Sequence, residues 1–204
     1  MFPAFFTDAP TIRMIDPLAE FLGTAEGGVL DYRYEDAVRL AGHSCPTVAS
    51  AFLMTRLALQ TLYVDDLPVR GEIRVDLPDA PDAGVTGVIA AVAALVTGAT
   101  AETGFRGLGG HFNRRDKLFF YQPLLSGSLG FTRLDSGHRV TVTANLTQVP
   151  GDPRTATLLP RCLTDAADST ERALFRSLWQ DRVRRLLLEH ADDAAVFLIT
   201  EYPN

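Results

Sequence analysis

A length of 204 residues, 47% of them hydrophobic and 22% charged, suits one globular domain with a modest extension and a real core. The formal net charge of −6 gives a field that repels phosphate backbones, which argues against general nucleic-acid binding. Two cysteines are too few for a disulfide framework or a zinc ribbon, and no apolar run reaches the ~20 residues of a membrane span.

Residues 1–13 read as an irregular arm whose Phe2, Phe5 and Phe6 are expected to pack on the body of the same chain. The start lacks the basic flank and long apolar stretch of a secretory signal, so a cytoplasmic protein is expected. Asp16 followed by Pro17 makes an N-cap and N1 pair that opens a short helix, which Gly27 and Gly28 close. A second helix over 34–40 delivers the chain to Gly42 and His43. Over 46–63 the apolar residues Val48, Ala51, Phe52, Met54, Leu57, Ala58, Leu59 and Leu62 cover nearly the whole circumference, the pattern of a helix enclosed on every side.

The stretch "GEIRVDL" alternates Ile73, Val75 and Leu77 with polar residues, as a half-buried strand does. "DAGVTGVIAAVAALVTGAT" predicts a second apolar helix, with small residues that permit close approach and Gly98 as its stop. "KLFFYQ" reads as a strand, and "GFTRLDSGHRVTVTANLTQV" as a hairpin turning at Asp135, Ser136 and Gly137. The segment around "STERALFRSLWQDRVRRLLLEH" predicts a long amphipathic helix that buries Leu174, Leu178, Trp179, Val183, Leu186 and Leu187. Its "RVRR" tract is a solvated face, and "AAVFLITEY" closes the chain as a strand. The expected class is α+β, with central buried helices packed on a mainly antiparallel sheet. The arm and short helix occupy 1–28, and one domain follows over 29–204.

The turn "GHSCP" carries the chemistry. Pro46 suits N1 of a helix, where its missing N–H costs nothing, and Cys45 is then the N-cap. A thiolate there is stabilised by the unpaired N–H groups and the helix dipole. His43 shares the neighbourhood, either as a second metal ligand or as the base of a catalytic pair with Cys45. A soft nitrogen and sulfur set suits zinc or another late transition metal.

"GHSCP" entering an apolar helix, followed by a second apolar helix that closes in "TGAT", resembles the FmdE family, named after the E subunit encoded with formylmethanofuran dehydrogenase. Gly42, His43, Cys45 and Pro46 match the first motif, and Thr97, Gly98, Ala99 and Thr100 match the second. "NRRDKLFFYQ" is similar to a later family segment in which a basic residue precedes an aromatic strand. The likeness implies an α+β core with a metal or thiol site at His43 and Cys45. Three departures accompany it: Ala41 stands where the family places another histidine, Thr47 where it has glycine, and Val88 and Ala91 where many members carry cysteine and aspartate. With only Cys162 left over, the C-terminal zinc finger of some members is not expected in this sequence.

A metal at His43 and Cys45 therefore needs further ligands. His111, at the end of the glycine-rich loop 104–110, is the expected third. Cys162, His138 and His190 have structural readings. Glu35 and Asp36 begin their helix as favourable charges, or orient His43 from one turn away. Arg114, Arg115 and Lys117 form a solvated face or receive an anionic substrate. Ser44 imitates part of a nucleophile elbow, but Pro46 replaces its last glycine. Three functions fit: metal-assisted chemistry on a small molecule, a metal-free thiol or redox enzyme using Cys45 with His43, and a non-catalytic accessory subunit of a redox complex. Apolar helices of this kind also lead us to expect a homodimer.

Overall fold

A computed structural model describes residues 1–122 and 127–202. After a turn of 3-10 helix at Ala4–Asp8, Ile12–Ile15 (β1) leads into the short helix Pro17–Phe21 (α1). Val29–Tyr32 (β2) returns antiparallel to β1, with Ile12 opposite Tyr32 and Ile15 opposite Val29. Two helices follow, Tyr34–Ala41 (α2) and Pro46–Leu62 (α3). Ile73–Asp76 (β3) precedes the helix Thr86–Thr97 (α4), and the two-residue strand Leu118–Phe119 (β4) comes next. Leu129–Arg133 (β5) and Arg139–Ala144 (β6) form the hairpin. Arg154–Leu163 (α5), Ser169–Leu188 (α6) and Phe197–Tyr202 (β7) complete the described chain.

The larger sheet has the order β4-β3-β5-β6-β7, and only its β3–β4 pair is parallel. The class is α+β, with helices on a mainly antiparallel sheet. The inner face of that sheet is apolar and buried. Val75, Phe131 and Val140 stand in one cross-strand row, beside Leu129 opposite Val142, and all five are fully buried. No helix among the described residues is long and apolar enough to cross a membrane.

α3 lies at the centre, packed against α2, α4, α6 and the strands β5 to β7. Phe52, Leu53, Met54 and Leu59 are all but inaccessible, as the all-round apolar pattern requires. Its partner α4 is built from alanine and valine, and Ala90, Val92, Ala93 and Val96 are buried. Small side chains let the two helix axes approach closely, which favours dense packing.

The arm is more ordered than its sequence suggests. Phe6 is buried and meets Tyr34 edge to face at 4.9 Å, and Tyr34 in turn meets Phe52 of α3 at 5.9 Å. Aromatic contact thus ties the arm to its own chain's core. β1 escapes a reading by periodicity because it is four residues long, yet Met14 within it is fully buried. "KLFFYQ" pairs over only two residues, since Asp116 and Tyr121 at positive φ break the extended run at both ends. α5 carries Pro160 in its interior, and this breaker hides the helix from a sequence reading. On α6, Val183, Leu186 and Leu187 are buried, but Leu174 is exposed and Leu178 and Trp179 are half-buried. α6 also packs on α5, and its Trp179 lies against the edge of the core.

Replacing Phe6 by alanine should cost about 3–5 kcal/mol, the range for a buried Phe truncation. Phe2→Ala, at a position 37% exposed, should cost well under half of that. Urea unfolding of the two variants checks the difference.

Candidate functional site

The turn between α2 and α3 is built from its ends. Gly42, in the left-handed region at φ 74°, closes α2 with its N–H on the Val38 carbonyl at 2.9 Å. Cys45 then opens α3 as its N-cap, and Sγ accepts the Val48 N–H at 3.5 Å. The sulfur is where Pro46 places it in the sequence reading. Cys45 is 9% exposed, so its thiol sits largely beneath the surface.

His43 projects outward from the same turn. Its Nδ1 lies 2.9 Å from the Ala41 carbonyl, which can only accept. That bond places the proton on Nδ1 and leaves Nε2 as the free acceptor nitrogen. Glu35 and Asp36 play no part in orienting it. Asp36 accepts the Arg33 N–H at 2.9 Å, and both carboxylates pair with Arg39.

Ser44, between them, clamps the turn to α6. Trp179 Nε1 and Gln180 Nε2 each donate to the Ser44 carbonyl at 3.1 Å. Ser44 Oγ donates to Gln180 Oε1 at 3.0 Å and so accepts from the Tyr34 hydroxyl at 2.9 Å. Burial pushes the Tyr34 phenol well above its ordinary range, and the Ser44 hydrogen bond only partly offsets this. Tyr34 is therefore a fixed proton donor at neutral pH. Tyr34, Trp179 and Gln180 carry no motif of their own. Their role becomes visible only when α6 meets a turn more than 130 residues earlier in the chain.

Two cavities open at His43. The larger, about 400 Å³, runs between the arm and α6 and is walled by Phe2, Phe6, Val38, Phe175 and Trp179. His43, Ser44, Arg176 and Gln180 supply its polar lining. The smaller, about 210 Å³, is lined by Leu40, Ala41, His43, Gly87, Val88, Ala91 and Val92. Ala41, Val88 and Ala91 are three of the positions at which the sequence departs from the FmdE pattern, and all three gather beside His43. The imidazole thus faces apolar surface on both sides.

His111 is elsewhere. Leu108 and His111 exchange both backbone hydrogen bonds across Gly109 and Gly110, each at positive φ, as a two-residue hairpin turn requires. The loop ends in a clamp in which Thr100 gives both its N–H and its hydroxyl to the Arg114 carbonyl, at 2.9 and 2.8 Å. His111 consequently lines a third cavity with Arg70 and Arg114, apart from the two at His43. Among the described residues no group of three or more His, Cys, Asp or Glu converges as a metal site would require. The thiol and imidazole suit zinc in kind but supply only two donors, and His111 does not join them.

Arg114 also departs from the expected solvated face. It is 5% exposed, and its Nη2 meets Asp16 Oδ1 at 2.6 Å, while Arg70 Nη1 meets Asp16 Oδ2 at 2.9 Å. Lys117 hydrogen-bonds the Gly71 carbonyl, and Arg115 is half-buried. Cys162 lies on α5, and both cysteines are free thiols. His190 pairs with Asp193 at 2.8 Å and His138 with Glu201 at 3.4 Å.

No family model matches the chain, and no curated protein matches it.

Removing the Tyr34 hydroxyl with Tyr34→Phe should cost about 1 kcal/mol, the net value of one hydrogen bond, while the ring contacts survive. Asp16 makes a larger, pH-dependent contribution. Burial opposes its charge, but the Arg70 hydrogen bond and the charges of Arg114 and Arg70 outweigh that and hold the carboxyl below its usual range. The stabilisation is complete above the unfolded value of ~3.9 and is lost as pH falls through the depressed folded value. Urea midpoints measured from neutral pH downward should fall in that acid window. Asp16→Asn should flatten that response and cost about 3 kcal/mol at neutral pH, because the buried Arg114 guanidinium loses its carboxylate partner and the half-buried Arg70 loses one of three contacts.

Proposed function

We propose that this chain is an FmdE-like small-molecule-binding protein whose ligand lies in the apolar cleft beside the GHSCP turn, with His43 as the polar group that meets it. The carrying observation is His43 itself, with Nδ1 anchored on a backbone carbonyl and its ring shared between two largely apolar cavities. A cleft of about 400 Å³ falls in the range of small-molecule sites, which combine apolar walls with a few placed polar groups. Cys45 beneath the turn supplies a thiol at the N-terminus of α3, and His43 supplies an imidazole two residues away in the chain. The two free thiols accord with a reducing, cytoplasmic setting.

The chain carries its own reporter, because Trp179 is its one tryptophan and lines the cleft. Titration with the apolar fluorophore 8-anilinonaphthalene-1-sulfonate should quench Trp179 saturably at one site per chain. Phe175→Asp should abolish this, and His43→Ala should leave the fold intact but alter the affinity. A lack of saturable binding would overturn the reading.

A second reading, in which His43 and Cys45 hold a transition metal, rests on the free Nε2 of an imidazole whose other nitrogen is fixed by a carbonyl. Metal-ligating histidines are anchored in this way. Zinc is the ion that such a pair suits, and it would supply Lewis-acid activation of a bound ligand. The remaining donors would come from the ligand, water or a second copy of the chain. Elemental analysis of untagged protein should then find stoichiometric zinc that Cys45→Ser and His43→Ala each remove. Metal-free protein whose Cys45 alkylation slows in His43→Ala would favour the thiol chemistry instead.

A further inference from the structure

We infer that the cavity lined by Arg70, Arg114 and His111 is a second ligand site, separate from the His43 cleft, and that it takes a small oxyanion such as a carboxylate or phosphate group. A buried guanidinium ordinarily uses its N–H groups, and each donor left unpaired in the interior costs about 1–3 kcal/mol. Arg114 breaks that rule. It is 5% exposed, yet Nε and Nη1 have no hydrogen-bond partner, and only Nη2 is engaged, on Asp16. Arg70, by contrast, has every guanidinium nitrogen engaged, with Nη1 on Asp16, Nε on the Val96 carbonyl and Nη2 on the Leu95 carbonyl.

The charges point the same way. Asp16 is one carboxylate shared by two guanidinium groups, so the cluster retains one positive charge at low exposure. Glu72 also lines the cavity, but its carboxylate is half exposed and lies 3.7 Å from Lys117 Nζ, which offsets it. An unbalanced buried cation beside a cavity is stabilised by an anion more than by any neutral ligand.

The surrounding backbone is shaped to hold Arg114 there. A Cβ on Gly71, which has φ +89°, would come within 1.9 Å of Nη1, and one on Gly98 within 3.2 Å. Thr100 holds the Arg114 carbonyl through two hydrogen bonds. The "TGAT" motif therefore builds this site and not the one at His43. The cavity is about 180 Å³, room for roughly six water-sized groups, which suits an oxyanion and not a large molecule. His111, exposed at its wall, adds a ring nitrogen to the anion's path.

The test is calorimetric titration of the whole chain with inorganic phosphate and, separately, acetate, at ionic strength held constant with chloride. The Arg114 Nε–H signal is followed by NMR in parallel. One anion or both should bind saturably at one site and move that signal, and the pattern tells a phosphate ligand from a carboxylate one. Arg114→Lys, which keeps the charge for Asp16 but removes the unpaired donors, should weaken binding about tenfold or more. Its urea midpoint shows whether it folds. His111→Ala, a change at an exposed position, should weaken binding severalfold and guards against misfolding of the first variant. No saturable heat and an unmoved Arg114 signal with both anions would overturn the assignment, as would unchanged affinity in a folded Arg114→Lys.

Discussion

A helix that is apolar around its whole circumference has to be enclosed, and α3 imposes that demand on the other elements. The sheet covers one side with Phe131, Val140 and Val142, while α2, α4 and α6 close the rest. Burying Phe52, Leu53, Met54 and Leu59 together contributes on the order of several kcal/mol, more than any single polar contact here. Enclosure leaves the helix termini as places where the chain can present chemistry. At the N-terminus the turn 42–45 does so, with the Cys45 sulfur held under the surface and His43 turned outward.

Holding that turn takes residues from a distant element. Trp179 and Gln180 fix the Ser44 carbonyl, and Tyr34 fixes its hydroxyl, so the position of His43 is set by α6 as much as by its own loop. The same aromatic contacts that seat the arm also form a wall of the cleft, since Phe6 meets Tyr34 edge to face and lines the cavity. Stability and the shape of the cleft are coupled at this point. A change in the arm reshapes the cleft, and a change in α6 moves the imidazole.

The sequence motifs divide between two places. "GHSCP" builds the turn at His43, whereas "TGAT" closes α4 and anchors Arg114 through Thr100. The sequence reading joined His111 to His43 and Cys45 because a glycine-rich loop can carry a histidine to a nearby site. α3 and α4 do pack together, but the loop after Gly98 leads away from His43 and carries His111 with it. The helices, the hairpin and the N-cap role of Cys45 were legible, because each depends on side-chain period or on a capping residue nearby in sequence. The four-residue β1 and β2 and α5 with its internal proline were not, and β4 was legible only as a longer strand, because their local signals are short or contradictory.

What the sequence by itself determined is the class of the fold, the enclosed helix and the N-cap place of a thiol at its head. Periodicity and caps act over a few residues, and Pro46 needs only its neighbours to place a sulfur at a helix N-terminus. Only the tertiary structure decided which side chains share a site. It separated His111 from His43, gathered Ala41, Val88 and Ala91 around the imidazole, and brought Asp16 together with Arg70 and Arg114, 54 and 98 residues further along. No local pattern encodes such meetings. They follow from how the apolar faces close on α3, and the buried charges then settle where partners of opposite sign are within reach.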